Sequence, residues 1–183
     1  MRVLGIDPSL TGTGIAFRNG NVAYTERVQT TLRDMPRLVY IRDRVREYAQ
    51  HVKPTLVAYE GYAMGFGKGL AGKIFDRAEL GGILKLMLIE EFGTPVLVVP
   101  PTSLKMFMTG KGRLSKGDKG KKEFSEYASK HRGRGFMSFD EADAYGLMVM
   151  GEAKLEPRRL PRLRTHYQHL ALAGCEVIEA NPV

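Results

Sequence analysis

Two short apolar runs, each ending on a carboxylate, constrain the fold of this chain more than any other sequence feature. Residues 2–7 and 55–60 have the length and apolar character of buried strands, and they end on Asp7 and Glu60. If the two strands are neighbours in one sheet, their terminal acids meet at the same edge. The sequence therefore predicts a sheet that carries two acidic side chains at one edge.

The remaining pattern predicts further strands and several helices around this pair. Apolar residues alternate over 14–24 around Asn19-Gly20, a dipeptide suited to a two-residue hairpin turn, so the chain should open with an antiparallel three-strand meander. A further strand is expected at 95–99. Helices are expected at 36–52, 73–92, 102–110 (capped by Thr102 or Ser103), 115–131 and 139–153. The prediction is an α/β fold with a mixed five-stranded sheet flanked by helices.

Length and composition point to one intracellular domain. With 183 residues, we expect a domain over 1–153 and a C-terminal tail of uncertain structure over 154–183. The single cysteine, Cys175, excludes an internal disulfide and a cysteine-built zinc site. No run approaches the roughly 20 apolar residues of a membrane span, and the first residues do not have a signal peptide's apolar stretch. We therefore expect a cytoplasmic protein with no membrane partner.

Basic residues are concentrated in one part of the chain. Lysine and arginine outnumber aspartate and glutamate by 28 to 20, which gives a formal net charge of +8. Solvated surface charge would explain this total as well as a polyanionic partner would. However, residues 105–134 hold most of the excess, which favours nucleic acid. The candidate DNA-binding side chains are Lys105, Lys111, Arg113, Lys116, Lys119, Lys121 and Lys122, of which the last three are expected on an exposed turn.

A second pair of acids, Asp140 and Asp143, lies on a predicted helix. Their spacing of three residues puts them on one face, whereas Glu141 points off that face and is expected to be a solvated spectator. Asp143 has small and apolar neighbours, so an unpaired charge there would be costly and a cation partner is favoured. Asp7, Glu60 and Asp140 taken singly also fit solvated strand ends or a helix N-terminus. Together, the four acids suit magnesium, which prefers hard oxygen ligands from several parts of a chain.

Four segments in order resemble the RuvC family of Holliday junction resolvases, which has a ribonuclease H-like fold. Residues 5–8 (GIDP) and 13–16 (TGIA) are similar to the family's opening motif. Residues 56–60 (LVAYE) are similar to its second acidic strand, and residues 140–144 (DEADA) to its final metal-binding helix. The stretch 104–116 resembles its basic segment. The likeness extends, with gaps, from residue 1 to about residue 153.

The resemblance implies a homodimeric nuclease that nicks two strands of a four-way DNA junction symmetrically and leaves 5′-phosphate and 3′-hydroxyl ends. It implies two magnesium ions per active site, with manganese as a substitute. The implied metal ligands are Asp7, Glu60, Asp140 and Asp143. Lys105 and Lys116 would contact the scissile-strand phosphate, and Lys116 would take part in catalysis. The need for a branch-migration partner stays open.

The loop after the second acid departs from the family pattern. In the family, an aromatic residue soon after this acid helps to open the junction. Here the loop reads GYAMGF over 61–66, so Tyr62 and Phe66 are the candidates for this role. An aromatic side chain in a glycine-rich loop is about as often a packing anchor.

Other enzyme classes match isolated motifs. Residues 67–72 satisfy the G-x-G-x-x-G pattern, and 67–73 nearly form a phosphate loop, but Ile74 occupies the position where Ser or Thr would hold magnesium. Residues 7–14 also resemble the first phosphate loop of actin-like kinases, which need two such domains around a cleft. A broader branched-DNA or flap endonuclease of the same fold is the nearer alternative. Comparing cleavage of a four-way junction, a flap and a linear duplex separates these possibilities.

Overall fold

A six-stranded mixed sheet forms the centre of the molecule. The computed structural model describes residues 1–61, 71–156 and 166–180. The strands are β1 (Val3–Asp7), β2 (Thr13–Asn19), β3 (Val22–Val28), β4 (Leu56–Glu60), β5 (Val96–Val99) and β6 (Glu176–Ile178). The helices are α1 (Asp34–Val52), α2 (Ala71–Phe92), α3 (Pro101–Thr109), α4 (Asp118–Arg132), α5 (Phe139–Leu155) and α6 (His166–Ala173).

The strands lie in the order β3-β2-β1-β4-β5-β6. The predicted antiparallel meander is confirmed, because β2 pairs antiparallel with both β1 and β3. Its turn is shifted by one residue, since Asn19 pairs with Val22 and leaves Gly20, at φ +58°, and Asn21 as the turn. Strands β1, β4 and β5 run parallel to one another.

The sheet has one strand more than the five predicted. Strand β6 pairs antiparallel with β5, with Leu97 opposite Val177. It spans three residues, Glu176–Ile178, none of them fully buried. Such a short segment gives no apolar run or alternation that a sequence reading can detect, and only its pairing with β5 defines it as a strand.

Alternate side chains of the central strands face two separate cores. Leu4, Ile6, Val57 and Tyr59 pack with the buried side chains of α1 and α2 on one face. Val3, Ala58, Leu97 and Val99 pack on the other face against α3, α4 and α5. This alternation follows from the two-residue period of a strand. Asp7 and Glu60 are in phase with Val3 and Ala58, so both acids belong to the face that α5 covers.

Helix α5 lies unusually close to the sheet because two strand glycines leave room for it. A Cβ atom at Gly5 would lie 2.2 Å from the backbone oxygen of Ala144, and a Cβ at Gly14 would lie 2.0 Å from that of Asp140. Real Cβ atoms do not approach backbone so closely, so a side chain at either position would push the helix away. The contact fixes the distance between the start of α5 and the end of β1.

Helix α3 begins differently from the prediction. Pro100 is its N-cap and Pro101 occupies the first turn, with no side chain capping the helix, so the assignment of Thr102 or Ser103 as the cap is wrong. Proline is favoured at a first helical position because its φ angle is already helical and no backbone N–H is lost. The predicted end is confirmed, with Gly110 in the left-handed region at φ +73°. Within the described ranges, no helix is long and apolar enough to cross a membrane.

Candidate active site

Four carboxylates from three elements line one cleft. Asp7 ends β1 and Glu60 ends β4, and the parallel pairing of Ile6 with Tyr59 puts these strand ends side by side. Asp140 and Asp143 lie in the first turns of α5, whose close contact with Gly14 brings them over the end of β1. The cleft has a volume of about 1090 Å³. The structure thus brings together all four acids that the sequence singled out.

Burial makes the charged forms of Asp7, Glu60 and Asp143 costly. Loss of solvent raises the pKa of Asp7 to about 6, with the nearby charge of Asp140 adding to the effect and a hydrogen bond with Glu60 opposing it. Burial raises the pKa of Asp143 to about 8, and the charges of Asp7 and Asp140 add to it. The pKa of Glu60 is raised well above its usual value by burial and by Asp7 and Asp143. A cluster of this kind favours a bound cation that neutralises it.

The donors fit a hard divalent cation, because all of them are carboxylate oxygens. Within the described residues, no three acidic, histidine or cysteine side chains already converge at ligand spacing. Asp140 is instead held by Arg27, with Nε 2.5 Å from Oδ2, and Asp7 is hydrogen-bonded to Glu60.

Two arginines near the acids were not predicted from the sequence. Arg27 on β3 pairs with Asp140, and its guanidinium group lies against the backbone at Gly12. Arg77 on α2 lines the cleft, and its charge lowers the pKa values of Asp7 and Glu60. Arg27 could have been found from the hairpin pairing, because it lies opposite Gly14 on the neighbouring strand β2. Arg77 is separated in sequence from every predicted site segment, and only the packing of α2 brings it near.

The predicted DNA-binding cations divide into two groups. Lys105, Arg113, Lys116 and Lys121 line the cleft with the acids. The positive charge of Lys105 lowers the pKa of Asp143, and that of Lys121 lowers the pKa values of Asp7 and Asp143. Of the described residues, Lys111, Lys119 and Lys122 do not line this cleft, and all three are exposed.

The prediction that Lys119, Lys121 and Lys122 lie on a turn is wrong, although all three are exposed as expected. These residues belong to α4, which begins at Asp118, and helical phase separates them. Lys121 is three and seven residues before Phe124 and Ala128, both buried, so it lies on the side of α4 that borders the cleft, where its side chain stays exposed. A helical reading from residue 118 onward would have shown this.

Glu141 is not a solvated spectator. Its side chain points away from the carboxylate cluster, as predicted, but the residue is only 6% exposed. Thr25 Oγ1 donates to Glu141 Oε2 at 2.9 Å, and Ser138 Oγ accepts from the Glu141 backbone N–H at 3.2 Å. Strand β3 covers this side of α5. The pattern within the helix alone cannot predict this contact. The two aromatic candidates, Tyr62 and Phe66, lie outside the described residues.

Comparison with known proteins gives one consistent group of relatives. No family model matches the chain. The crossover junction endodeoxyribonuclease RuvC of Nocardioides sp. is 30% identical over 128 residues, which cover 66% of this chain and 70% of that protein. The enzyme of the same name from Cutibacterium acnes is 28% identical over 127 residues, covering 65% of this chain and 63% of that protein. The chain thus spans about two thirds of the length of these curated relatives.

Solved structures show the same fold at lower sequence identity. Thermus thermophilus RuvC superimposes with a TM-score of 0.66 at 23% identity, over 86% of this chain and 97% of that one. The structure of T. thermophilus RuvC in complex with Holliday junction substrate gives a TM-score of 0.65 at 22% identity, over 85% and 96% of the two chains. The mixed sheet with flanking helices is therefore of the ribonuclease H-like type.

Proposed function

This chain belongs to the RuvC family of crossover junction endodeoxyribonucleases, and we propose that it resolves four-way DNA junctions by paired, symmetric nicks. The observation that carries the proposal is a single cleft in which four carboxylates, one buried and three partly buried, adjoin several cationic side chains. The carboxylates suit metal-assisted phosphodiester hydrolysis, and the cations suit DNA phosphates. Phosphate contacts provide affinity without sequence information, so junction shape would provide the specificity.

The family's divalent-metal dependence agrees with the donor set. We propose two Mg²⁺ ions, replaceable by Mn²⁺, with Asp7, Glu60, Asp140 and Asp143 as ligands. The chemistry that such ions supply is activation of a water molecule and neutralisation of charge on the departing 3′ oxygen. The protein's own part is to hold the acids on the ends of β1, β4 and α5, where packing restricts their movement. Products with 5′-phosphate and 3′-hydroxyl ends would follow.

The cationic side chains have two proposed roles. Lys105, Lys116 and Lys121 face the acids across the cleft, where positive charge stabilises the phosphorane-like charge of the transition state. Arg27 is a positioning residue, because it holds the Asp140 carboxylate while its own chain is fixed on β3. Arg113, at the cleft, and the exposed Lys111, Lys119 and Lys122 would attract the DNA backbone.

A homodimer is part of the proposal, since a twofold axis supplies two equivalent sites for two matched incisions. The sequence of α2 holds more apolar residues than one buried stripe needs, which makes this helix a candidate interface. The structure places Leu80, Leu84 and Leu88 in the core, so those residues are explained by packing on the sheet. Among the described side chains of the same helix, Phe75 and Leu86 are large apolar residues that stay 72% and 56% exposed, so they are available to a second copy.

The proposal is tested with a synthetic four-way junction, a flap and a linear duplex, each with and without Mg²⁺. We expect paired nicks in the junction alone, dependence on the metal, and products that a ligase can seal. Sedimentation of the active protein should show a dimer at micromolar concentration. Equal cleavage of the flap and the junction would instead favour the broader branched-DNA nuclease, and full activity in a monomer would exclude the symmetric mechanism.

The two groups of lysines should respond differently to replacement by alanine. Removing Lys105, Lys116 or Lys121 should lower the single-turnover cleavage rate more than junction affinity, because each charge faces the reacting phosphate. Removing Lys119 or Lys122 should weaken binding modestly and reduce the salt dependence of affinity by about one unit of slope. The measurements are binding at several salt concentrations and single-turnover rates for the five variants. Equal losses confined to affinity at all five positions would contradict the division.

A further inference from the structure

An almost fully exposed methionine lines the same cleft as the carboxylates. Met137 is 94% exposed, and it lies three residues before Asp140, so their Cα atoms are at most about 10 Å apart. Apolar surface in water is unfavourable, and at 94% exposure almost none of this side chain is covered by the protein. A ligand in this cleft that offers an apolar surface to Met137 would therefore gain binding energy, in addition to what the charged groups contribute.

The segment that carries Met137 is anchored on both sides. Arg132, at the end of α4, donates from Nη2 to the backbone oxygen of Ala23 at 2.7 Å, and its guanidinium lies 4.7 Å from the Phe136 ring centre. On the other side, Ser138 caps α5 by accepting from the Glu141 backbone N–H at 3.2 Å. Met137 therefore projects from a connection whose two neighbouring residues are held by the body of the protein.

Hydrogen bonds also connect the segment to β3. Thr25 Oγ1 donates to Glu141 and accepts from Arg132 Nη1 at 3.3 Å, so one hydroxyl joins the end of α4 to the start of α5. The connection that carries Met137 is therefore held in place by contacts with α4, α5 and β3. Its backbone position is set relative to the carboxylates on α5.

We infer that Met137 is an apolar wedge that contacts an unstacked base beside the scissile phosphate. The inference rests on the proposed function, because it assumes that DNA fills this cleft. Within DNA, the faces of the bases are the apolar partners, whereas phosphates and sugars are polar. Methionine is one of the side chains that proteins insert between base steps, and its unbranched thioether adapts to an irregular gap. Phe139, 37% exposed and lining the same cleft, adds a second apolar surface next to it.

The test compares a fully paired junction with one that carries a mismatch at the cleavage step. Met137→Ala should cleave the paired junction about tenfold more slowly than the wild-type protein, because unstacking is no longer assisted. The mismatch lowers the cost of unstacking, so it should restore the variant to within about twofold of the wild-type rate on the same substrate. With 2-aminopurine next to the cleavage site, and Ca²⁺ to prevent cleavage, the variant should lose most of the fluorescence increase on binding.

Two further variants and a control separate a wedge from general damage. Met137→Leu keeps an apolar side chain and should retain the fluorescence increase, whereas Met137→Gln has a similar shape but is polar and should lose it. Met35→Ala removes another exposed methionine, on α1, and should behave as wild type. If Met137→Ala cleaves paired junctions at the wild-type rate, or is equally slow on paired and mismatched junctions, the wedge is refuted. If the wild-type protein neither binds nor cuts junctions, the proposed function itself fails.

Discussion

Asp143→Asn is expected to lower the single-turnover rate of junction cleavage by about a thousandfold, equivalent to about 4 kcal/mol of transition-state stabilisation, while folding and junction binding persist. Asparagine has nearly the same shape, but its neutral amide is a poor ligand for a hard divalent cation. Asp7→Asn and Glu60→Gln should give the same result for the same reason. The measurement is cleavage under single-turnover conditions in Mg²⁺, together with junction affinity in Ca²⁺.

The same substitution should stabilise the metal-free protein. A carboxyl whose pKa is raised to about 8 in the folded state, as for Asp143, opposes folding once the pH exceeds the unfolded pKa near 3.8. Wild type therefore loses stability through Asp143 as the pH rises from about 4 to 8, and the asparagine variant lacks this contribution while Asp7 and Glu60 keep theirs. In EDTA, Asp143→Asn should have the higher Tm at pH 8, and the difference should shrink toward pH 4.

Asp43→Asn is the matched control, because Asp43 lies on α1 and pairs with Arg42 and Arg46 on the surface. It should cleave at the wild-type rate and show no comparable gain in Tm. A near-normal cleavage rate for Asp143→Asn in Mg²⁺ would show that Asp143 is not a ligand. A lower Tm for that variant at every pH would contradict the electrostatic account of the cluster.

Gly14→Ala is expected to destabilise the fold by roughly 3 kcal/mol or more, because the new methyl group would lie 2.0 Å from the backbone oxygen of Asp140. For a chain of this size, that loss corresponds to a fall in Tm of roughly 10 °C. Helix α5 must move away from β2 to admit the methyl group. Cleavage should therefore fall at temperatures where the variant is still folded, since Asp140 and Asp143 move with the helix.

Gly82→Ala supplies the comparison. Gly82 is exposed in α2, and a Cβ there would meet no atom of the described residues within 4 Å. Alanine should be neutral or slightly stabilising at this helical position. Thermal unfolding followed by circular dichroism and single-turnover cleavage are measured for both variants. If Gly14→Ala retains the wild-type Tm and rate, the close approach of α5 to the sheet does not set the geometry of the site.

The arrangement of the acids was predictable because it depends on local periodicities. A strand of buried residues delivers its last side chain to the edge of the sheet, and a spacing of three on a helix keeps Asp140 and Asp143 together. Parallel pairing of β1 with β4 then brings Asp7 and Glu60 side by side, as expected. The role of these residues as metal ligands stays a prediction, since geometry alone does not establish it.

The features that the sequence did not reveal all depend on contacts between distant segments. Arg27 reaches Asp140 across more than a hundred residues, and Glu141 is buried only because β3 covers it. Lys121 was misplaced because residues 119–122 were treated as a turn, although they belong to α4 and fall inside the helix predicted over 115–131. Strand β6 is too short to carry a pattern. In each case the role of a charged residue or a short segment depends on a partner that is distant in sequence. The residues next to it in the chain do not indicate that partner.

Strand β6 bears on how this domain can be shortened or transplanted. The predicted boundary after residue 153 retains every proposed metal ligand, but removing the segment that follows would strip the partner from β5. The four residues of β5, Val-Leu-Val-Val, would then form an open apolar edge with unpaired backbone groups, which is a template for aggregation. A soluble minimal catalytic unit therefore has to extend through Ile178, even though none of the residues described beyond 153 lines the cleft that holds the carboxylates.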